Sequence, residues 1–221
     1  MTILYEILLL IFAYLLGSIP NALIVSKMFF KTDIRKFGSK NMGATNTLRV
    51  LGVRYAALVF LLDALKASIL VALFTYNIID KSIIPHLHPI YFGFMGIIGH
   101  IFPIFANFKG GKGVASTTGI LLAFSPYCFL IELAVFLIVF LSTKIVSLSS
   151  ILSITCVFIC SFFIGPINNP GSDYIFTIFC GIVMLIIILD HSKNIKRLFN
   201  GTESKITKDE LKKNNIAREK K

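Results

Sequence analysis

Residues 113–143 read GVASTTGILLAFSPYCFLIELAVFLIVFLST, and the fold turns on how often this stretch crosses an apolar layer. It is too long for one ordinary span of roughly 20 residues. It holds a single charge, Glu132, and is interrupted at Ser125-Pro126, where proline removes a backbone donor and breaks the helical ladder. The stretch therefore predicts two short passes, near 114–125 and 127–143, that thin the bilayer or lean on neighbouring helices. Working outward, residues 3–25 and 55–76 fit one span each. Residues 82–108 carry no Lys, Arg, Asp or Glu and hold a third near 87–106. Residues 145–165 and 174–190 supply two more, separated by the turn-forming run Gly165-Pro166-Ile167-Asn168-Asn169-Pro170-Gly171.

Charge selects the two-pass reading. With seven crossings, all of the 22 Lys and Arg except Lys66, inside a span, and Lys81 fall on one side of the membrane. With one pass fewer, the basic C-terminal segment lands opposite the first basic loop, against the positive-inside rule. The expected fold is an all-α integral membrane protein with seven transmembrane helices, some short, the N-terminus outside and the C-terminus cytoplasmic. Residues 1–205 form a single polytopic membrane domain. Residues 206–221 form a basic cytoplasmic tail, disordered or held to anionic lipid.

Composition agrees. The chain of 221 residues is 56% hydrophobic, with a mean hydropathy of +0.82, and only 15% charged, whereas a soluble domain averages about 25% charged. Its net charge of +11 would point to nucleic acid in a soluble protein. Here the basic residues lie in loops between spans, so nucleic acid is not an expected partner. The first residues have no basic n-region and no A-x-A-like cleavage site, so the first apolar stretch reads as a retained span. Cys128, Cys156, Cys160 and Cys180 all lie in apolar segments without paired spacing and read as packing residues. His86 and His88 have no nearby Cys or acidic partner, so no metal site is expected.

Three polar clusters end apolar spans, and in the seven-span topology all face the cytoplasm. In the first, Gly38 and Gly43 permit unusual backbone conformations, Ser39, Asn41, Thr45 and Asn46 add hydrogen-bonding groups, and Lys40 and Arg49 add positive charge. It reads as a loop turned inward on an anion or as an ordinary polar turn, with the Arg49 fork favouring phosphate. The second, Gly110-Gly111-Lys112-Gly113, lacks the Gly and Ser/Thr of a nucleotide P-loop, since Ala106 and Gly113 occupy those places. It is a flexible turn or an anion loop before a helix N-terminus. In the third, His191 and Asn194 share one face if the last helix continues. His191 is a donor, acceptor or base, or a cap on the helix dipole; Glu203 is a hydrogen-bond anchor or a surface acid. Within the spans, Asp63 and Lys66 are expected to pair, and Glu132 and His100 are expected to be buried and hydrogen-bonded.

Taken together, Gly17-Ser18-Ile19-Pro20, the segment from Asp33 and Arg35 through Gly38-Ser39-Lys40-Asn41-Met42-Gly43-Ala44-Thr45-Asn46 to Arg49 and Gly52, Gly99-His100-x-Phe102-Pro103, Gly110-Gly111-Lys112-Gly113-Val114-Ala115 and the segment from His191 to Glu203 resemble the bacterial PlsY family. The resemblance covers about residues 12 to 205. It departs from the family at Asn21 and Lys40, where Gly is usual. It implies a cell-membrane enzyme, with its active site on the cytoplasmic face, that moves a fatty acyl group from acyl phosphate to the primary hydroxyl of glycerol 3-phosphate. The products would be 1-acyl-glycerol 3-phosphate and phosphate, in the first step of phospholipid synthesis, with no cofactor. Carried over by position, the catalytic residues would be Ser39, Arg49, Lys112, His191 and Asn194. Gly38, Asn41, Asn46, Gly110, Gly111, Gly113 and Glu203 would be substrate-binding, Glu203 with a positioning role.

No His in the chain has an Asp five positions later, so the H-x-x-x-x-D pair of other acyltransferases is absent. A phosphate oxygen of the donor, with a second pKa of about 6, is the favoured proton acceptor over His191. The rival function is a transporter of an anionic phosphate compound, with the basic clusters forming its vestibule.

Overall fold

The computed structural model describes residues 2–167 and 171–207, and all regular structure among them is helical. The helices are α1 (Thr2–Gly17), α2 (Asn21–Phe30), α3 (Ala44–Leu51), α4 (Val53–Thr75), α5 (Ile90–Ile101), α6 (Val114–Phe124), α7 (Pro126–Thr143), α8 (Val146–Cys160), α9 (Tyr174–Asp190) and α10 (Ser192–Phe199). Asn168, Asn169 and Pro170 of the expected turn, and the tail beyond Thr207, lie outside the described residues.

The decisive stretch divides as its proline requires. The α6 helix stops at Phe124, Pro126 starts α7, and buried Ser125 ties the joint by donating to the Gly165 carbonyl at 2.6 Å. Among the described residues, three helical stretches are long and apolar enough to cross a membrane: Thr2–Phe30, Val53–Thr75 and Pro126–Thr143. α9 with α10 makes a fourth if that pair, bent by 62°, counts as one span. Ile90–Ala106, Val114–Phe124 and Val146–Cys160 are apolar but shorter.

The sequence led us to expect one uninterrupted first span. Instead it is broken at Ser18-Ile19-Pro20, because Pro20 cannot donate into the preceding turn. The Ile19 carbonyl at this break accepts Lys66 Nζ at 2.7 Å. The expected span at 87–106 is likewise cut short at Pro103, after which only the short 3-10 turn Ile104–Ala106 remains.

α4 lies at the centre, packed against α1, α2, α3, α5 and α6. Its contacts are close because small residues let backbones touch, as expected where helices gain little from hydrophobicity against lipid. A Cβ on Gly119 of α6 would strike the Ala64 backbone of α4, and one on Gly99 of α5 would strike that of Tyr14 in α1. A smaller core of Leu23, Val25, Ile34, Met42, Val50, Leu51 and Val59 pins the 31–43 loop between α2, α3 and α4. At the other end of the described chain, Ile206 is buried and its N–H donates to the Lys144 carbonyl at 2.8 Å.

Gly119→Ala is expected to destabilise the protein by about 1–3 kcal/mol through overpacking, read as a melting temperature lowered by several degrees in detergent. Gly181→Ala, which would meet only the Phe158 ring, should shift it much less.

Candidate active site

The first polar cluster is a loop built on its own side chains. Asp33 caps the Ile34–Lys36 turn through the Arg35 N–H and pairs with the Arg35 guanidinium at 2.7 Å. These contacts hold its carboxyl down at about 2. Buried Asn46 organises the rest: its Oδ1 accepts from the Ser39 N–H at 2.8 Å, and its Nδ2 faces the carbonyls of Asn41 at 2.9 Å, Phe37 at 3.2 Å and Ile34 at 3.3 Å. Gly38 has φ 57, and any Cβ there would collide with Asn46 Oδ1. Lys40 also has left-handed φ, at 62, a conformation that costs a non-glycine residue about 1–2 kcal/mol. The segment after the loop is α3, a helix that the sequence reading took as loop, and Arg49 sits in its last turn.

The third cluster meets the second around Glu203. This buried carboxylate accepts from Ser147 Oγ at 2.8 Å, Asn194 Nδ2 at 2.6 Å and Arg197 Nε at 2.6 Å. Burial opposes its charge, but those bonds outweigh burial and keep the carboxyl below its usual value. Asn194 in turn accepts from Lys112 Nζ through Oδ1. Burial draws the Lys112 ammonium down to about 8, with Glu203 opposing the shift. The helix bends at His191, which does not continue in register with Asn194. His191 Nδ1 lies 2.8 Å from the Ile187 carbonyl, which can only accept, so Nδ1 carries the proton and Nε2 keeps a lone pair. Burial, then the neighbouring Lys112 charge, lower the ring to about 4, leaving it neutral near pH 7.

One cavity of about 920 Å³ gathers all five candidate catalytic residues, Ser39, Arg49, Lys112, His191 and Asn194. Gly38, Asn41, Asn46, Gly113 and Glu203 also line it, as do the N-termini of α3 and α6 and apolar Phe60, Phe136 and Leu189. Gly110 and Gly111 are not in its wall: they pack against His100, where a Cβ on Gly110 would fall on the carbonyl oxygen and one on Gly111 on the ring. Lys40 lines the cavity and Lys109 does not. Sequence reasoning missed Ser147, Arg197, Asp63 and His100 as lining residues. Arg197, six positions before Glu203, gave a local signal; Ser147 gave none.

Residues 7–201 match the family described as glycerol-3-phosphate acyltransferase. A glycerol-3-phosphate acyltransferase of Macrococcus caseolyticus (strain JCSC5402) is 48% identical over 199 residues, covering 90% of this chain and 96% of the relative. Glycerol-3-phosphate acyltransferase 2 of Bacillus anthracis is 45% identical over 201 residues, covering 91% and 99%. The crystal structure of PlsY, an integral membrane glycerol 3-phosphate acyltransferase, in its glycerol 3-phosphate form matches with a TM-score of 0.79 at 36% identity, covering 93% of this chain and 97% of that one. Its lysophosphatidic acid form matches at 0.76 and 35%, with the same coverage. Likeness of this extent, in sequence and in fold, means that the chain belongs to the glycerol-3-phosphate acyltransferase family.

Proposed function

We propose that this protein is a membrane acyltransferase that moves a fatty acyl group from acyl phosphate to the primary hydroxyl of glycerol 3-phosphate, releasing 1-acyl-glycerol 3-phosphate and phosphate. The observation that carries this reading is the meeting of three sequence-distant basic clusters in a single cavity that also has an apolar wall. Two phosphate monoesters bring about −1.5 to −2 charge each near pH 7. Arg49, Lys112 and Lys40, with the helix N-termini at Gly43 and Gly113, offer donors and positive potential to offset it. Phe60, Phe136 and Leu189 suit the acyl chain. The carrier reading is set aside, because the relatives are acyltransferases by name and no feature of the cavity favours transport.

In this mechanism the glycerol hydroxyl attacks the acyl carbon, the bond from that carbon to the phosphate oxygen breaks, and the hydroxyl proton passes to a phosphate oxygen. His191, held near 4, is a weaker base than a phosphate whose second pKa is about 6. It serves better as an orienting group, its Nε2 a neutral acceptor for the other, secondary hydroxyl of glycerol 3-phosphate, which leaves the attacking hydroxyl's proton to the phosphate oxygen. Ser39, Arg49 and Lys112 stabilise charge developing on the acyl oxygen and the departing phosphate. Asn194 and Glu203 position Lys112; Gly38 and Asn46 shape the backbone at Ser39, and Gly110 and Gly111 the backbone that leads into Lys112.

The seven-crossing topology, with a cytoplasmic site in a bacterial inner membrane and residues 1–205 as one domain, belongs to the same proposal. Its support is charge: every Lys and Arg outside the spans except Lys81 then shares one side with the cavity. α6, at eleven residues, reaches about 16 Å and would cross only by thinning the bilayer or by sheltering against α4 and α7.

Purified protein given labelled glycerol 3-phosphate and palmitoyl phosphate in detergent should yield labelled lipid and phosphate, with palmitoyl-CoA as the comparison donor. Lys112→Ala should lose about 100-fold or more in kcat/KM, and no lipid from either donor would overturn the reading. Lys112 is charged below pH 8 and neutral above it. Hence kcat/KM for glycerol 3-phosphate should fall about tenfold per pH unit above 8, and Lys112→Arg should abolish that limb because guanidinium stays charged. A wild-type profile flat through this range would remove the ammonium from phosphate binding. An impermeant maleimide outside sealed cells should label Lys81→Cys but neither Ser39→Cys nor Lys112→Cys; the reverse pattern would invert the topology.

A further inference from the structure

The charges buried behind the cavity take no part in the transfer chemistry described above. Asp63 of α4 is 1% exposed, and its Oδ1 meets Lys66 Nζ at 2.8 Å, Asn21 Nδ2 at 2.9 Å and His100 Nδ1 at 3.6 Å. The 5%-exposed His100 lies in the last turn of α5, and its opposite side meets the glycine loop. Its carbonyl accepts the Gly111 N–H at 3.1 Å. A Cβ added to Gly111 would overlap His100 Nε2, and one added to Gly110 would overlap the His100 carbonyl oxygen. Lys112 is the next residue, and Asp63 and His100 both reach the cavity wall.

We propose that Asp63 and His100 are a positioning pair for the acyl transfer. The carboxylate lies 3.6 Å from the imidazole Nδ1, a packing contact longer than a hydrogen bond that limits where the ring can sit. The far edge of the ring limits the 110–113 backbone, and that backbone sets where Lys112 enters the site. The inference rests on reading the cavity as a glycerol 3-phosphate site. It gives the two leading glycines of the loop a specific reason: they make room for His100, while the phosphate is met by Lys112 and the N-terminus of α6.

Two measurements on the purified full-length protein in detergent test this. The first is a mutant cycle. Gly111→Ala should raise KM for glycerol 3-phosphate about tenfold or more while changing KM for palmitoyl phosphate less than about threefold. Adding His100→Ala should recover about fivefold of that loss, because the colliding ring is gone. Losses that simply multiply in the double variant would overturn the pair. The second is hydrogen exchange over residues 109–113, which covers a Gly111→Ala protein that fails to fold. Asp63→Asn, isosteric but uncharged, and His100→Ala should each speed exchange there, whereas unchanged exchange in both would refute the proposal. Exchange is read without turnover, so a wild-type protein that made no lipid would defeat the acyltransferase reading and leave this test standing.

Discussion

A carboxylate sealed inside an apolar bundle has to be matched, and the matching of Asp63 organises this fold. Desolvating a lone charge costs several kcal/mol, and removing one partner of a buried pair leaves that penalty exposed. Asp63 recruits Lys66 one turn along α4, Asn21 from the start of α2 and His100 from the end of α5, while its backbone carbonyl accepts from Ser116 Oγ of α6. Lys66 then uses a second donor on the Ile19 carbonyl at the break between α1 and α2. One compensated charge thus provides a donor for the Ile19 carbonyl at the break that Pro20 makes, and draws α2, α4, α5 and α6 together. It also explains why a buried polar residue is tolerated at Asn21: its side chain donates a hydrogen bond to the carboxylate.

At the cavity a second carboxylate does the corresponding job with different consequences. Glu203 gathers Ser147 from α8 and Asn194 and Arg197 from α10, and through Asn194 it reaches Lys112. Charge-assisted bonds of this kind are about twice as strong as neutral ones, so four remote segments converge with fixed geometry. The cations there are crowded and partly desolvated, which is why Lys112 sits well below an ordinary lysine. A site in that condition gains from receiving an anion. His191 contributes differently: its Nδ1 is committed to the Ile187 carbonyl, so its remaining nitrogen is a fixed acceptor rather than a titrating switch.

What the sequence revealed and what it hid separate along physical lines. Local chemistry was legible. Ser125-Pro126 set the α6–α7 joint, the run to Asp190 set the end of α9, and the Gly, Lys, Arg and His clusters marked segments that line the cavity. Features that depend on distant partners were not. The apolar run 3–25 gives no sign that Lys66, 47 positions beyond Ile19, would accommodate a break there. α3 was hidden because its polar surface and flanking Gly43 and Gly52 resemble loop, while the burial of Thr47, Val50 and Leu51 that stabilises it is tertiary. Asn46 and the glycines at 110 and 111 looked like ligand-facing groups by composition. Their neighbours, the 34–41 carbonyls for one and the His100 ring and carbonyl for the others, show that they build the loops, and Asn46 lines the cavity as well.

Short and broken helices would be defects in a scaffold whose task was only to span. An α-helix satisfies its backbone internally except at its ends, so an apolar layer favours long uninterrupted helices with ends in water. Here α6 is eleven residues long and opens onto the cavity through Gly113 and Val114, α3 opens onto it through Gly43 and Ala44, and α9 bends by 62° so that α10 can return Asn194 to Lys112. Each interruption leaves backbone N–H groups or a turn of chain where a phosphate ester would need them. In a low-dielectric surrounding such ends attract an anion more strongly than they would in water. For a reaction that joins a charged, water-soluble acceptor to a long apolar chain, the features that shorten the helices also build the site, since only interrupted helices can present polar backbone at the wall of an otherwise apolar bundle.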